Sequence, residues 1–387
     1  MVTRRSLLAS GAAGLGGLAG CAANSPTSDT DGASDTDGSA DDVDGDADDE
    51  TARIGFVGDL MLGRSVADRW ADGDDPEGVW GSTLTRLREL DALVGNLECC
   101  VSDRGERWPD KVYYFRSPPS FAVPALEAAG TSFVSLANNH VLDYREPALR
   151  DTRRHLADAG IARAGAGANA GEALRPATFE AGDLTVAAFG LTDQSTAFAA
   201  TDADPGTAFA RLDPAVRGTR TLVGDVLDRV AEAEPDLVVA SLHWGANWET
   251  EPRAVHERFG RWLVERGVDV VHGHSAHVLQ GVEVYDGCPI IYDAGDFVDD
   301  YVSYRDREGV YNKRSALFEL VVRGGELAAL DVVPTAIADE TARLADGEVA
   351  EWVRETVAER SDAFGTAVEG VGGERDGGRL RIPLGGE

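Results

Sequence analysis

Short apolar runs recur along the chain, separated by stretches whose apolar residues fall three or four positions apart. Arg53 to Gly58, Ala92 to Gly95, Ser132 to Leu136, Leu184 to Phe189, Leu237 to Leu242 and Val270-Val271 read as strands. Helical spacing covers Gly81 to Leu90 (Leu84, Leu87, Leu90), Phe121 to Ala129, Glu146 to Ala159, Thr219 to Glu234, Val255 to Arg266 and Glu348 to Asp362. Two hairpins follow: Val282 to Tyr285 with Pro289 to Asp293 around Asp286-Gly287, and Ala316 to Val322 with Leu327 to Pro334 around Gly324-Gly325. Strands alternating with helices, closed by hairpins, predict an α/β layered domain over residues 51–365 with a mixed sheet or two packed sheets. Thr192 to Pro214 has turn-like composition and is expected to form a long loop over a site. The Gly/Arg-rich residues 366–387 are expected to fray.

Residues 1–21 follow the pattern of an export signal. Thr3-Arg4-Arg5-Ser6-Leu7-Leu8 is a twin-arginine motif, followed by a Gly/Ala-rich apolar run. Leu18-Ala19-Gly20-Cys21 resembles a lipobox, which makes Cys21 the lipidation candidate; a plain cleaved signal is the alternative. Residues 22–50 hold Asp, Ser, Gly, Thr and Ala with no basic residue, too little apolar surface to offset ordering entropy. They predict a disordered acidic linker between a membrane anchor and the folded domain. The expected location is the cell surface, outside the cytoplasm.

The 387 residues carry a formal net charge of -32. Nucleic acid and anionic membrane surfaces are poor partners for such a surface. Lys111 and Lys313 are the only lysines; the other basic residues are Arg. An acidic, Lys-poor surface suits high salt, which screens self-repulsion, and points to a halophilic source.

Three of the seven histidines, His272, His274 and His277, lie in one turn after a strand. Polar residues unusual for a core recur at such strand ends: Asp59, Glu98, Asn139, His140, His243, His274 and His277. In open α/β sheets ligands sit at the carboxyl ends of strands. Carboxylate and imidazole together suit Zn, Mn or Fe, and a metal pair activates water. A helix cap remains the alternative for Asp59 and an Asx-turn for Asn139. His272 sits one strand pair earlier and is expected to face elsewhere; His155 and His256, within helices, are read as surface or packing residues. Adjacent Cys99 and Cys100 are unsuited to pair with each other, so one is expected to bridge Cys288 in an oxidising compartment.

The same residues carry a family resemblance. Gly58-Asp59-Leu60-Met61-Leu62-Gly63-Arg64, Asn96-Leu97-Glu98, Tyr114 to Pro119, Ala137-Asn138-Asn139-His140 with Asp143, His243-Trp244-Gly245 with Asn247-Trp248-Glu249, Gly273 to His277, and Tyr292 to Phe297 with Asp299-Asp300-Tyr301 resemble the CapA-type poly-γ-glutamate capsule biosynthesis proteins. The resemblance spans about residues 53 to 335. It implies kinship with calcineurin-like metallophosphoesterases and a four-layer α/β/β/α sandwich. It also implies a divalent cofactor of one or two ions: Asp59 and His277 at a first metal, Asn139, His243 and His274 at a second, and Glu98 where the superfamily has a bridging Asp. His140 would protonate a leaving group, with Asp59 and Arg64 as further catalytic candidates. Where the phosphoesterase pattern has His two residues after the first Asp, this chain has Met61.

An anionic polymer calls for cations, and guanidinium grips carboxylate through two parallel hydrogen bonds. Arg64, Lys111 and Arg116, with Glu249 and Asp296 from the same motifs, are the substrate-binding candidates. For Arg64 and Arg116 the alternative is an ion pair with Glu98, Asp296 or Asp299 that holds loops. Trp108, Tyr113, Tyr114, Trp244 and Trp248 are candidates to wall the cleft. The leading expectation is an exported, lipid-anchored protein acting in synthesis, export or anchoring of a poly-γ-glutamate-type polymer beside polyglutamate synthase subunits. The alternatives are an extracellular metal-dependent hydrolase of phosphoester or γ-glutamyl bonds, and a non-catalytic polyanion-binding module.

Overall fold

In a computed structural model of the chain, residues 51–73, 75–301, 310–372 and 378–385 are described. The expected signal and linker, residues 1–50, lie outside them.

Two sheets pack face to face. The first runs, in spatial order, Glu369–Val371, Arg379–Pro383, Glu326–Ile337, Arg314–Arg323, Thr51–Leu60, Ala92–Leu97, Thr131–Ser135 and Ala162–Ala164. Its last four strands are parallel, and Asp296–Val298 adds to Thr51–Leu60. The second runs Val282–Tyr285, Cys288–Ile291, Val270–His274, Leu237–His243, Leu184–Thr192 and Ala177–Ala181, with a parallel centre.

Side-chain alternation explains the layering, because successive residues of a strand face opposite ways. Ala316, Phe318, Leu320 and Val322 point inward with Ile54, Phe56, Val94 and Phe133 to meet Val186, Ala188, Val239, Val270 and Ile291 of the second sheet. On the first sheet's outer face, Leu93, Val134, Leu317 and Val333 pack with Phe121, Ala125, Leu149 and Leu156, from helices Pro119–Ala128 and Arg145–Asp158. On the second sheet's outer face, Ala187, Phe189, Ala240 and Val271 meet Val223, Val226, Phe259 and Leu263, from helices Arg217–Ala231 and Ala254–Val264. The result is the expected α/β/β/α sandwich. Each fully buried Leu, Val or Phe stabilises it by roughly 1.5–3 kcal/mol relative to exposure.

Three expectations need correction. Only Leu84–Leu87 of the predicted Gly81–Leu90 helix is α-helical, after a 3-10 stretch, Pro76–Thr83. Gly81 breaks the helix at φ +44°, where a Cβ would sit 2.5 Å from the Ala342 carbonyl oxygen. The tail does not fray at residues 379–383. Leu380 and Ile382 join the inner core, and Arg381 makes a bidentate bond to buried Asp331 at 2.7 and 2.8 Å. No disulfide links the three described cysteines. Cys99 lies in the first sheet's outer core and Cys288 in the second's, so both sheets separate them. Cys100 donates to the His140 and Val141 carbonyls, and burial pushes its thiol up to about 12.

Candidate metal centre

Parallel strands of both sheets deliver their carboxyl ends to one place. In the first sheet Asp59 stands in register with Asn96 and Asp296 on its two flanking strands. Only glycine at position 58 permits this approach: a Cβ there would lie 1.8 Å from the Gly295 carbonyl oxygen. In the second sheet His243 stands in register with His274. The turn that follows is held in a costly conformation, with Ser275 at φ +113° and His277 at φ +60°. Buried Asp293 fastens it, accepting the Ala276 N–H at 2.6 Å and the Gly295 N–H at 2.9 Å.

Two donor groups share Asp59. One is Asp59, His243 and His274; the other is Asp59, Glu98, His277 and Asp296; all are buried. His277 Nδ1 lies 2.8 Å from Asp296 Oδ1, 3.2 Å from Asp59 Oδ2 and 3.9 Å from Glu98 Oε2. His274 Nδ1 and His243 Nδ1 lie 3.6 and 3.9 Å from Asp59 Oδ1. Glu98 Oε1 is 3.8 Å from Nε2 of both His140 and His243.

Hydrogen-bond partners fix the imidazole tautomers. His272 Nε2 meets the Val57 carbonyl at 2.9 Å, and a carbonyl only accepts, so that nitrogen carries the proton. His272 Nδ1 then accepts from the Ser241 hydroxyl at 3.2 Å, and Ser241 Oγ accepts from His274 Nε2 at 3.0 Å. His274 Nδ1 is thereby left as a bare lone pair facing the centre. His243 Nε2 donates to Asn139 Oδ1 at 2.8 Å, which leaves His243 Nδ1 without a proton; the Asn96 amide approaches it at 3.3 Å. These two nitrogens are 2.9 Å apart. Burial, the largest influence, holds His243 down to about 3 and His274 well below its ordinary value, so at neutral pH neither takes a proton to relieve the contact.

The carboxylates are under opposite strain. Asp59 Oδ2, Glu98 Oε1 and Asp296 Oδ2 are buried without a hydrogen-bond donor, a costly state for a charged group. Burial, then Asp59 and Asp296, push Glu98 well above the usual carboxylate range. Burial pulls His277 down, but Asp296 and Glu98 outweigh it and raise it well above its ordinary value. Unprotonated imidazole nitrogens and orphaned carboxylate oxygens gathered around Asp59 fit divalent cations.

The other predicted residues fall into place around this cluster. His140 donates from Nδ1 to Asp143 at 2.7 Å and stacks on Phe115 at 3.8 Å; burial, against Asp143, lowers it to about 4. Lys111 pairs with Asp143 and donates to the Asn139 carbonyl. Arg64 pairs with Asp300 at 3.0 Å, rather than with Glu98, Asp296 or Asp299, and lies over Phe115 at 5.4 Å. Arg116 stacks on Tyr144 at 4.0 Å. Asp299 pairs with Lys313 instead. Glu249 is exposed, and its carbonyl accepts from Gln280 at 2.8 Å. Asp296, expected at the substrate, is brought into the donor cluster. Met61 is absent from it: its sulfur accepts the Gly63 N–H at 3.3 Å inside the outer core. Trp108 lines a cavity of 460 Å³ with Lys111, Asn139, Gln194 and Phe198, so the Thr192–Pro214 segment does reach the site. Trp248 lies 5.3 Å from the His277 ring, whereas Trp244 stacks on His256 in the core. Three roles escaped sequence reasoning. Asn96 donates to Asp59 at 2.7 Å, Ser241 orients His274, and Tyr301 donates to Glu98 at 3.4 Å. Asn96 sits at a strand end and was findable there; Ser241, inside an apolar run, gave no signal.

The profile of the Bacterial capsule synthesis protein PGA_cap family matches residues 53–301, which contain every donor above. The chain belongs to the PGA_cap family. Proteins similar to the chain include a probable polyglutamine synthesis accessory protein of Mycobacterium tuberculosis, 34% identical over 300 residues, 75% of this chain and 78% of the relative. The capsule biosynthesis protein CapA of Bacillus anthracis is 30% identical over 295 residues, 74% of this chain and 67% of the relative. The PGA biosynthesis protein CapA of Bacillus subtilis is 28% identical over 298 residues, 76% and 73%. This PGA_cap chain is therefore a CapA-like capsule biosynthesis accessory protein with a metallophosphoesterase-like fold.

Proposed function

We propose that this PGA_cap protein is exported, anchored at the cell surface through lipid on Cys21, and acts on a poly-γ-glutamate-type polymer through a cleft that binds divalent metal. The observation that carries the metal reading is the pair of unprotonated imidazole nitrogens, 2.9 Å apart, beside three undonated buried carboxylate oxygens. Export and anchoring rest on the twin-arginine and lipobox residues. Among the described residues no helix is long and apolar enough to cross a membrane. The relatives' names supply the polymer class, and polyglutamate synthase subunits are the expected neighbours.

The chain's own groups support a task at the cleft. Arg64, 38% exposed over Phe115, and Lys111 at the cavity edge attract an anionic strand. Asp143 fixes the His140 ring and its tautomer, leaving Nε2 as a proton acceptor facing the centre. A metal held by Asp59, His243 and His274 or by Asp59, Glu98, His277 and Asp296 would supply Lewis acidity toward an ester or amide oxygen and toward water. His140 Nε2 then has the position and neutral state to take a proton from water or, once charged, return it to a leaving group. This favours the hydrolase as second reading.

The test is deletion of the gene with complementation by wild type and by His140→Ala. Cell-bound γ-linked polymer is measured, and purified protein is assayed against oligo-γ-glutamate and a generic phosphodiester. Loss of polymer restored by both proteins, without hydrolysis, supports an accessory binding role. Restoration by wild type alone, with hydrolysis, supports the enzyme. Unchanged polymer on deletion overturns the proposal. Radiolabelled lipid absent from Cys21 overturns the anchoring.

A further inference from the structure

Resting on the metal-binding reading above, we propose that the two positions sharing Asp59 are chemically unlike. An oxygen-rich position of Asp59, Glu98, Asp296 and His277 selects a hard cation such as Mn2+, and an imidazole-rich position of Asp59, His243 and His274 selects Zn2+.

The asymmetry starts from Met61. Its side chain is fully buried in the first sheet's outer core, with its sulfur occupied by the Gly63 N–H. Residue 61 therefore supplies no imidazole to the centre. The strand Asp296–Val298 supplies a carboxylate instead. It runs parallel to Thr51–Leu60, with the Asp59 N–H donating to the Gly295 carbonyl at 3.1 Å, and this places Asp296 beside Asp59. Asp296 Oδ1 lies 2.8 Å from His277 Nδ1, and Oδ2 is buried with no donor. Donor atoms sharing one ion at about 2.1 Å are roughly 3.0–3.4 Å apart. The 2.8 and 3.2 Å separations from His277 Nδ1 to Asp296 and Asp59 lie close to that range.

Three carboxylates and one imidazole hold this position, against one carboxylate and two imidazoles at the other. Carboxylate oxygens favour Mg, Ca and Mn; imidazole favours Zn, Cu, Fe and Ni. Outer partners reinforce the division. Ser241 and Asn139 bind the far nitrogens of His274 and His243 and present Nδ1 of both, an arrangement for imidazole ligation. Asp59 is the hinge between the two, with Oδ1 toward the imidazole pair and Oδ2 toward His277. The bridge thus falls on the first carboxylate of the motif series.

The test uses chelator-treated full-length protein and metal salts alone. Mn2+ is followed by electron paramagnetic resonance and Zn2+ by competition with a chromophoric chelator. Wild type is expected to hold one Mn2+ that one equivalent of Zn2+ does not displace. Asp296→Asn weakens Mn2+ by at least about 10-fold and leaves the tighter Zn2+ within about 3-fold. Asp296→His turns that position toward Zn2+, and His274→Gln weakens Zn2+ while sparing Mn2+. If Asp296→Asn fails to fold, judged by circular dichroism, the His274→Gln pair of affinities decides alone. Displacement of Mn2+ by the first equivalent of Zn2+, or equal weakening of both ions in a folded variant, overturns the inference while leaving a metal centre in place. Wild type that binds neither ion overturns the metal reading itself.

Discussion

Replacing Glu98 with Gln should make the metal-free protein more stable and the metal-loaded protein less so. Glu98 is fully buried, Oε1 has no donor, and its ionised form is opposed first by burial and then by Asp59 and Asp296. Gln keeps the shape and still accepts the Tyr301 hydroxyl, which meets Oε2 at 3.4 Å. Removing an uncompensated buried charge in favour of a neutral isostere is stabilising by about 1–3 kcal/mol. For a large domain that raises Tm by roughly 2–8 °C. With metal at 100 times Kd, wild type gains about 2.7 kcal/mol, a gain that the variant largely loses. The two Tm orders therefore cross on adding metal.

The assay is thermal unfolding by circular dichroism in chelator and in Mn2+ or Zn2+. The sign of the pH dependence is fixed. A raised folded-state pKa means the folded protein holds this proton more tightly than the unfolded chain. The wild-type penalty therefore grows as pH rises above 4.5, the carboxyl's ordinary value, and the Gln advantage closes below it. A Glu98→Gln protein that is less stable in chelator by as much as in metal refutes the reasoning and makes Glu98 an ordinary satisfied carboxyl.

Other outcomes follow from the same geometry. Glu98 and His277 both hold protons more tightly than usual, so metal binding should expel protons and tighten as pH rises from 6 to 8; calorimetry in buffers of different ionisation enthalpy reads the count, and zero release contradicts the pairing. Ser241→Ala should free the His274 tautomer and weaken Zn2+ by about 10–100-fold with Tm in chelator lowered by little; unchanged Zn2+ affinity would sever the relay through His272. Gly58→Ala should cost about 3 kcal/mol or more in chemical denaturation, because the new methyl meets the Gly295 backbone; a Tm within 2 °C of wild type would show that the two strands part easily.

Much of the fold was legible because strand alternation and helix spacing are local signals. Arg145–Asp158 and Ala254–Val264 fall within a few residues of their predicted spans for that reason. Gly81 was illegible as a breaker, since only the distant strand Ala342–Leu344 forces its turn. Arg379–Pro383 hid its alternation inside a Gly/Arg-rich composition, and its partner Asp331 lies far back in the chain. At the site, strand-end position alone drew Asp59, Glu98, His243, His274 and His277 together. Asp296, expected at the substrate, stands in the donor cluster because its strand pairs in parallel with that of Asp59, which no local pattern encodes. His272 was expected to face elsewhere, and it does face Val57, yet it still acts on the centre through Ser241.

The central claim is that residues from both sheets meet around divalent cations. The direct measurement is a crystal structure of metal-soaked protein with anomalous maps at the Mn and Zn edges. Anomalous peaks within about 2.4 Å of Asp59 and of the His277 or His274 ring nitrogens are expected. Crystals soaked at saturating metal, with no peak touching Asp59 and His277 still bonded to Asp296 alone, would contradict it.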